Sequence, residues 1–199
     1  MIKSEMVAVG YDRMAKAYLA NRDRLKSAKY VQQLLKYLPK KSLVLDLGCG
    51  AGVPVDDALL KAGHSVIGID ISSEQIKLAR KMVKGGDFLV GDIATLVEKE
   101  YQVQAVVSLY TLFHLPRRQH LEIIKKMASF LPKDGLLLLT MGDREFEGEH
   151  TLHGTPMWSS QYGTAKNKQI IESAGFKILM SEIDNSGGER HQIFLAEKK

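Results

Sequence analysis

The chain is poor in cysteine and lacks any long apolar run. One cysteine, Cys49, among 199 residues excludes an internal disulfide, so we expect a reducing, cytoplasmic environment. No apolar stretch approaches the roughly 18 residues of a membrane span, and the first residues lack the apolar core of a secretory signal. These absences predict a soluble globular protein without a membrane partner.

A concentrated charge of one sign is also missing. The 28 lysines and arginines outnumber the 23 aspartates and glutamates by only five, and the basic pairs are scattered. Scattered pairs are typical of solvated helix faces, so we do not expect a nucleic-acid partner, although the positive charge keeps RNA open as an alternative acceptor. Hydrophobic residues make up 45% of the sequence, which at this length predicts one domain with a full core.

Strand signals alternate with helix signals along most of the chain. Predicted strands cover residues 43–47, 65–70, 87–90, 103–109 and 135–141, and residues 94–100 are interpreted as a short helix. Two further strands, 176–183 and 190–196, are joined by a turn at 184–188 into a C-terminal hairpin. The pattern predicts an α/β fold with a doubly wound, mostly parallel seven-stranded sheet that closes with this hairpin.

The first predicted strand ends in a glycine-rich turn. Residues 44–52 read Val-Leu-Asp-Leu-Gly-Cys-Gly-Ala-Gly, and Asp70 ends the next strand. A strand, a glycine turn, a helix and a strand that ends in an acid are typical of a Rossmann-like nucleotide-binding unit, whose acid binds a ribose. However, Gly48, Gly50 and Gly52 do not complete the G-x-G-x-x-G spacing of a dinucleotide site. This spacing disfavours a nicotinamide oxidoreductase.

The stretch resembles the glycine motif of the class I S-adenosylmethionine-dependent methyltransferases, which reads hydrophobic-hydrophobic-Asp-hydrophobic-Gly-x-Gly-x-Gly. The charge of Asp46 agrees, because a carboxylate beside the loop would repel a pyrophosphate but suits a sulfonium and an ammonium group. The resemblance implies S-adenosylmethionine as the cofactor and S-adenosylhomocysteine as its product. It also implies a single domain over 1–199, with a helical lid region at 1–38 and an acceptor-side insertion at 142–162, where aromatic residues show no strand or helix period.

The resemblance assigns cofactor contacts to the ends of several predicted strands. Asp70 would accept hydrogen bonds from both ribose hydroxyls, and Asp92 would accept one from the adenine amino group. The backbone after Asp92 would face the adenine ring. A turn or helix-cap role remains open for Asp70, and the role of a loop residue remains open for Asp92. Cys49 is expected to fill the turn rather than to act as a nucleophile. The remaining expected cofactor contacts are Tyr11, Asp46, Gly48, Cys49, Gly50, Gly52, Ile71, Ile93, Ser108 and Leu109.

Methyl transfer from a sulfonium depends on proximity and alignment more than on a dedicated catalytic group. If the acceptor must lose a proton, the candidate bases are His114, Tyr110 and His153, and His114 has a positioning role as its alternative. His150 and His153 are spaced by three residues, but no third ligand is evident, so we predict no metal site.

The segment after the fourth strand bears on the methyl acceptor. Residues 108–111 read Ser-Leu-Tyr-Thr and lack the Asn-Pro-Pro-Tyr or Asp-Pro-Pro-Tyr pattern of enzymes that methylate base amino groups. We therefore expect transfer to an oxygen, nitrogen or sulfur atom of a small molecule, by a monomer or homodimer. The alternatives are an RNA or protein methyltransferase and a non-catalytic S-adenosylmethionine-binding subunit.

Overall fold

The computed structural model describes residues 3–21, 24–186 and 190–199, and the side chains of all of these except residues 21 and 24–26. The helices in this part of the chain are α1 (Lys3–Asn21), α2 (Arg24–Leu35), α3 (Val55–Lys61), α4 (Ser73–Met82), α5 (His120–Ser129) and α6 (Thr164–Ser173). The strands are β1 (Leu43–Leu47), β2 (Ser65–Asp70), β3 (Asp87–Val90), β4 (Ala105–Ser108), β5 (Leu136–Gly142), β6 (Phe146–Leu152), β7 (Thr155–Gln161), β8 (Phe176–Asp184) and β9 (His191–Lys198).

The larger sheet has seven strands in the order β3-β2-β1-β4-β5-β9-β8. Strands β1 to β5 pair in parallel, whereas β9 runs antiparallel to both β5 and β8. The predicted α/β class, strand number and closing hairpin are confirmed. The predicted turn at 184–188 extends into residues 187–189, which lie outside the described residues. The strand order reverses between β1 and β4, and ligands of such sheets bind in the crevice at that point.

The centre of the sheet is buried on both faces. Every residue of β5 is buried, and its leucines alternate between two core clusters. Leu137 and Leu139 pack with α5 and α6, while Leu136 and Leu138 pack with α2 and α3. This double burial explains why β5 has no polar alternation, and each fully buried leucine contributes roughly 1.5–3 kcal/mol. Among the described residues, none of the helices is both long enough and apolar enough to cross a membrane.

The predicted helix at 94–100 is wrong, because these residues form turns instead. Asp92 Oδ1 accepts a hydrogen bond from the Ala94 backbone N–H at 2.9 Å, which offers the chain an alternative to the first helical turn. Lys99 then adopts a left-handed φ of 60°, which is incompatible with continuing a helix.

The interpretation of residues 142–162 as a segment without strand period is also corrected. Strands β6 and β7 form a separate antiparallel hairpin, paired from Phe146 with Gln161 to Leu152 with Thr155. Most of β6 is polar and exposed, so it carries little alternation that a sequence reading could detect. The hairpin is stabilised instead by α1, where Val7 and Met14 form a buried cluster with Met157 of β7.

Candidate active site

A pocket lies at the carboxyl ends of β1, β2 and β4, where the strand order reverses. Its walls come from the glycine turn, the loops after β2 and β3, the segment after β4, and α1. Its empty volume, which includes the open mouth, is about 680 Å³. The pocket brings together these predicted cofactor residues: Tyr11, Gly48, Gly50, Asp70, Ile71, Asp92, Ile93 and Leu109.

The glycine turn approaches the segment after β4 closely. Gly48 has a φ of 84°, and a Cβ at this position would collide with the side chain of Thr111. The turn therefore needs glycine both for its backbone conformation and for space. Gly52 serves another contact: a Cβ there would lie 2.9 Å from Val83 Cγ2, at the end of α4. Gly52 thus allows the turn to pack against α4, and it is not among the described residues that line the pocket.

Asp70 joins the end of β2 to the glycine turn. Its Oδ2 accepts a hydrogen bond from the Gly50 backbone N–H at 2.8 Å, and its Oδ1 accepts one from the Ser72 N–H at 2.8 Å. The carboxylate is therefore held by backbone donors at the pocket wall.

A second carboxylate lines the pocket at the end of β3. Asp92 is half-buried, and its bond to the Ala94 N–H keeps Oδ1 in place. Ile71 and Ile93 line the same pocket and add apolar surface beside the two acids. An apolar lining with a few fixed polar groups suits a nucleoside, whose base is flat and apolar on its faces and polar at its edge.

Helix α1 forms one wall of the pocket. Ser4, Val7, Tyr11 and Tyr18 line it, and their spacings of three, four and seven residues place them on one face of the helix. Of these four residues, only Tyr11 was predicted from the sequence as a cofactor contact, and Tyr18 also packs against the cluster of Val7, Met14 and Met157. Testing the helical spacing from Tyr11 would have found the other members of this face.

His114 connects this wall to the β6–β7 hairpin. Its Nδ1 lies 3.0 Å from the Trp158 carbonyl oxygen, and its Nε2 lies 2.9 Å from the Tyr11 hydroxyl. A carbonyl only accepts, so Nδ1 carries the hydrogen and Nε2 accepts the hydrogen bond that Tyr11 donates. Burial lowers the pKa of His114 to about 4, so the ring is neutral near pH 7. Because both nitrogens are engaged and the ring is a weak base, this geometry favours the positioning role.

The other two candidate bases occupy different surroundings. Tyr110 lines the pocket directly after β4, with a left-handed φ of 60° that is uncommon for a bulky residue. Its hydroxyl donates to Asp184 Oδ2 at 3.5 Å. His153 is exposed at the end of the β6–β7 hairpin, where its ring centroid lies 6.0 Å from that of Tyr18. His153 is not among the described residues that line the pocket.

Three predicted cofactor contacts are buried but are absent from the described lining of the pocket: Asp46, Cys49 and Ser108. The Ser108 hydroxyl donates to the Leu47 carbonyl at 2.9 Å, which ties β4 to β1. Burial, and then the charges of Asp56 and Asp46, raise the pKa of the Cys49 thiol well above its usual range. A protonated thiol is a poor nucleophile, in keeping with the expectation that Cys49 fills the turn.

The fold and the residues of this pocket agree with the predicted resemblance to the class I S-adenosylmethionine-dependent methyltransferases. Residues 44–135 match a family model described as a methyltransferase domain. An uncharacterized methyltransferase from Oceanobacillus iheyensis is 29% identical over 143 residues, which cover 71% of this chain and 59% of that protein. A ubiquinone biosynthesis O-methyltransferase from Actinobacillus pleuropneumoniae is 32% identical over 124 residues, which cover 58% of this chain and 51% of that protein.

The chain spans between about half and three fifths of the length of these two curated relatives. A solved structure covers the chain more fully: the magnesium protoporphyrin IX methyltransferase from Synechocystis PCC 6803, with S-adenosylhomocysteine bound. Its TM-score is 0.79, with 99% of this chain and 100% of that chain covered at 20% sequence identity. At that identity the likeness shows the fold.

Proposed function

We propose that this protein is an S-adenosylmethionine-dependent methyltransferase that acts on an oxygen, nitrogen or sulfur atom of a small molecule. The observation that carries the proposal is Asp70, a carboxylate held at the pocket wall by the N–H groups of Gly50 and Ser72. The names of the two functionally described proteins above, one in ubiquinone biosynthesis and one for a porphyrin, support a small organic acceptor.

The residues of the pocket fit the cofactor part by part. Asp70 accepts the ribose hydroxyls, and Asp92 accepts the adenine amino group between the apolar side chains of Ile71 and Ile93. Gly48 and Thr111 line the pocket together, packed too closely for a side chain at position 48, and the amino-acid part of the ligand is proposed to lie beside them. When bound, the sulfonium supplies an electrophilic methyl carbon.

The acceptor is proposed to enter on the side of the pocket formed by Tyr110 and His114. There α1 acts as a lid, and the β6–β7 hairpin within residues 142–162 covers the acceptor side through its contact with α1. Transfer is a direct in-line displacement, for which the protein supplies alignment and excludes water. Tyr110 and His114 both line the pocket, and for an acceptor that must lose a proton Tyr110 is the preferred candidate base, because the ring nitrogens of His114 are engaged by Tyr11 and Trp158.

Calorimetric titration of S-adenosylhomocysteine into the wild type, Asp70→Asn and Asp57→Asn tests the proposal. Asn removes the charge and keeps an oxygen for one of the two backbone donors, while its NH2 group replaces the acceptor of the other. Asp57 is a surface carboxylate of α3 that pairs with Lys61 at 2.7 Å, which makes Asp57→Asn the matched control. We expect micromolar binding to the wild type and the control, and a loss of about tenfold or more in Asp70→Asn, because hydrogen bonds to a charged group are worth roughly 1.5–3 kcal/mol.

Thermal unfolding of the three proteins separates loss of binding from loss of fold. Absence of binding to the folded wild type would overturn the proposal. Equal affinity of the wild type and Asp70→Asn would remove Asp70 from the ribose site.

A further inference from the structure

Asp12 follows Tyr11 on α1, but its carboxylate points to the start of α4 rather than to His114. Asp12 Oδ1 accepts a hydrogen bond from the Ser72 hydroxyl at 2.6 Å and a second from the Glu74 backbone N–H at 3.1 Å. Asp12 is not among the described residues that line the pocket. Two adjacent residues of α1 therefore attach the helix to different walls of the site.

The contact with Asp12 completes the N-terminal cap of α4. The first N–H groups of a helix lack partners within that helix and need acceptors from elsewhere. Ser72 is the N-cap residue, and its hydroxyl oxygen accepts from the Gln75 N–H at 3.1 Å. The neighbouring Glu74 N–H is satisfied by Asp12, 62 positions away in sequence. The negative charge of Asp12 also lies at the favourable end of the helix dipole.

A continuous line of hydrogen bonds runs from this cap to the glycine turn. The Ser72 hydroxyl donates to Asp12, while the Ser72 backbone N–H donates to Asp70 Oδ1. Asp70 Oδ2 in turn accepts from the Gly50 N–H. The carboxylate assigned to the ribose is thus connected to α1 through one serine, and a displacement of α1 removes an acceptor from that serine.

We propose that Asp12 is a positioning residue that latches α1 over the cofactor pocket and slows release of the nucleoside ligand. This inference rests on the proposed function. Val7 and Tyr11 on α1 form one wall of the pocket, and Asp70 and Ile71 form another. A ligand that contacts both walls binds the latched form better. Because such coupling is reciprocal, the latch strengthens binding without touching the ligand.

Three variants separate the hydrogen bonds of Asp12 from its packing. Asp12→Leu keeps a similar size but removes the acceptor, whereas Asp12→Asn keeps an oxygen that can accept both bonds. Lys16→Leu introduces the same side chain at an exposed position of the same helix and serves as the control. Stopped-flow displacement gives the dissociation rate of S-adenosylhomocysteine, and calorimetry gives its affinity. We expect about tenfold faster release and about tenfold weaker binding in Asp12→Leu, less than threefold changes in Asp12→Asn, and none in Lys16→Leu.

Hydrogen exchange without ligand provides a readout that is independent of binding. We expect faster exchange of the α1 amides and of the Glu74 amide in Asp12→Leu, with the protection of β5 unchanged. If the wild type fails to bind S-adenosylhomocysteine, the proposed function fails, and exchange alone decides whether Asp12 holds α1 in place. If the wild type binds but Asp12→Leu releases the ligand at the wild-type rate, the latch is overturned. Loss of protection throughout β5 would overturn it as well, because Asp12 would then stabilise the whole fold.

Discussion

The hydroxyl of Tyr11 lies 2.9 Å from Nε2 of His114, across 103 positions of the sequence. The same imidazole contacts the Trp158 carbonyl through Nδ1, so one buried ring joins α1, the segment after β4 and strand β7. The ring must be neutral for Nε2 to accept from Tyr11, and burial provides this by lowering the pKa of His114. Neutrality of His114 is therefore part of how α1 is attached to the rest of the fold.

Stability should fall in mild acid because of this burial. His114 and His120 both have pKa values lowered to about 4, with desolvation as the largest cause, whereas an unfolded histidine titrates near 6.5. Between these two values the unfolded chain binds protons that the folded chain excludes. The free energy of unfolding therefore decreases as the pH falls from about 6.5 towards about 4, by on the order of 3 kcal/mol for each histidine.

Urea unfolding at several pH values in this window measures the effect. His114→Gln should show a clearly smaller pH dependence than the wild type, since the contribution of His114 is lost while those of His120 and His64, whose pKa values are also lowered by burial, remain. His153→Gln, at an exposed position of the β6–β7 hairpin, is the matched control and should retain the full dependence. A wild-type slope in His114→Gln would contradict the assignment of a neutral, buried His114.

The parts of the fold that were predictable from the sequence are those determined by neighbouring residues in the chain. Strands β1, β2 and β3 have the predicted bounds because each is a short apolar run that ends at a glycine or an acid. Asp70 and Asp92 follow from the same logic, since parallel strands place their carboxyl ends along one edge of the sheet. The helix predicted at 94–100 failed where a side chain, Asp92, competed locally for a backbone N–H.

The parts that were missed depend on contacts between distant segments. The β6–β7 hairpin has its buried partner in α1, about 150 residues earlier in the chain, so its own sequence shows little period. Likewise, the cap of α4 by Asp12 and the engagement of both nitrogens of His114 arise only once α1 has packed. Gly10 allows this packing, because a Cβ there would collide with Met157. A single glycine in a helix does not indicate from the sequence which residue packs against it.

Gly48→Ala should lower the free energy of unfolding by more than the strain of its left-handed backbone alone explains. Gly48 and Gly63 have nearly the same left-handed φ, 84° and 86°, so alanine is strained by about 1–2 kcal/mol at either position. A Cβ at Gly63 meets nothing within 4 Å, whereas a Cβ at Gly48 collides with Thr111. We expect a loss near the strain value for Gly63→Ala with unchanged binding of S-adenosylhomocysteine. Gly48→Ala should lose roughly 1–3 kcal/mol more, and its binding should be weakened.

The collision can be relieved separately from the strain. Adding Thr111→Gly to Gly48→Ala removes the atoms that the new Cβ would meet, so the double variant should recover part of the lost stability but not the strain. Chemical unfolding and calorimetry measure the two effects. Equal losses in Gly48→Ala and Gly63→Ala would show that Thr111 moves aside without cost.

Asp92 should select adenine over hypoxanthine. A carboxylate accepts hydrogen bonds only, so it pairs with the amino group of adenine and repels the carbonyl oxygen that replaces this group in hypoxanthine. We therefore expect the wild type to bind S-adenosylhomocysteine at least about tenfold more tightly than S-inosylhomocysteine, since an unpaired buried polar group costs about 1–3 kcal/mol. In Asp92→Asn the carboxamide can donate to the carbonyl oxygen, and the preference should shrink to about threefold or less.

Competition calorimetry with both ligands tests this prediction, with Asp87→Asn as the control because Asp87 is an exposed carboxylate on the same strand segment. The control should keep the wild-type preference. Asp92 also accepts from the Ala94 N–H, and asparagine can retain that bond, so the turn after β3 should survive the substitution. An unchanged preference in Asp92→Asn would leave Asp92 with a structural role in this turn only. Another group would then have to bind the amino group of adenine.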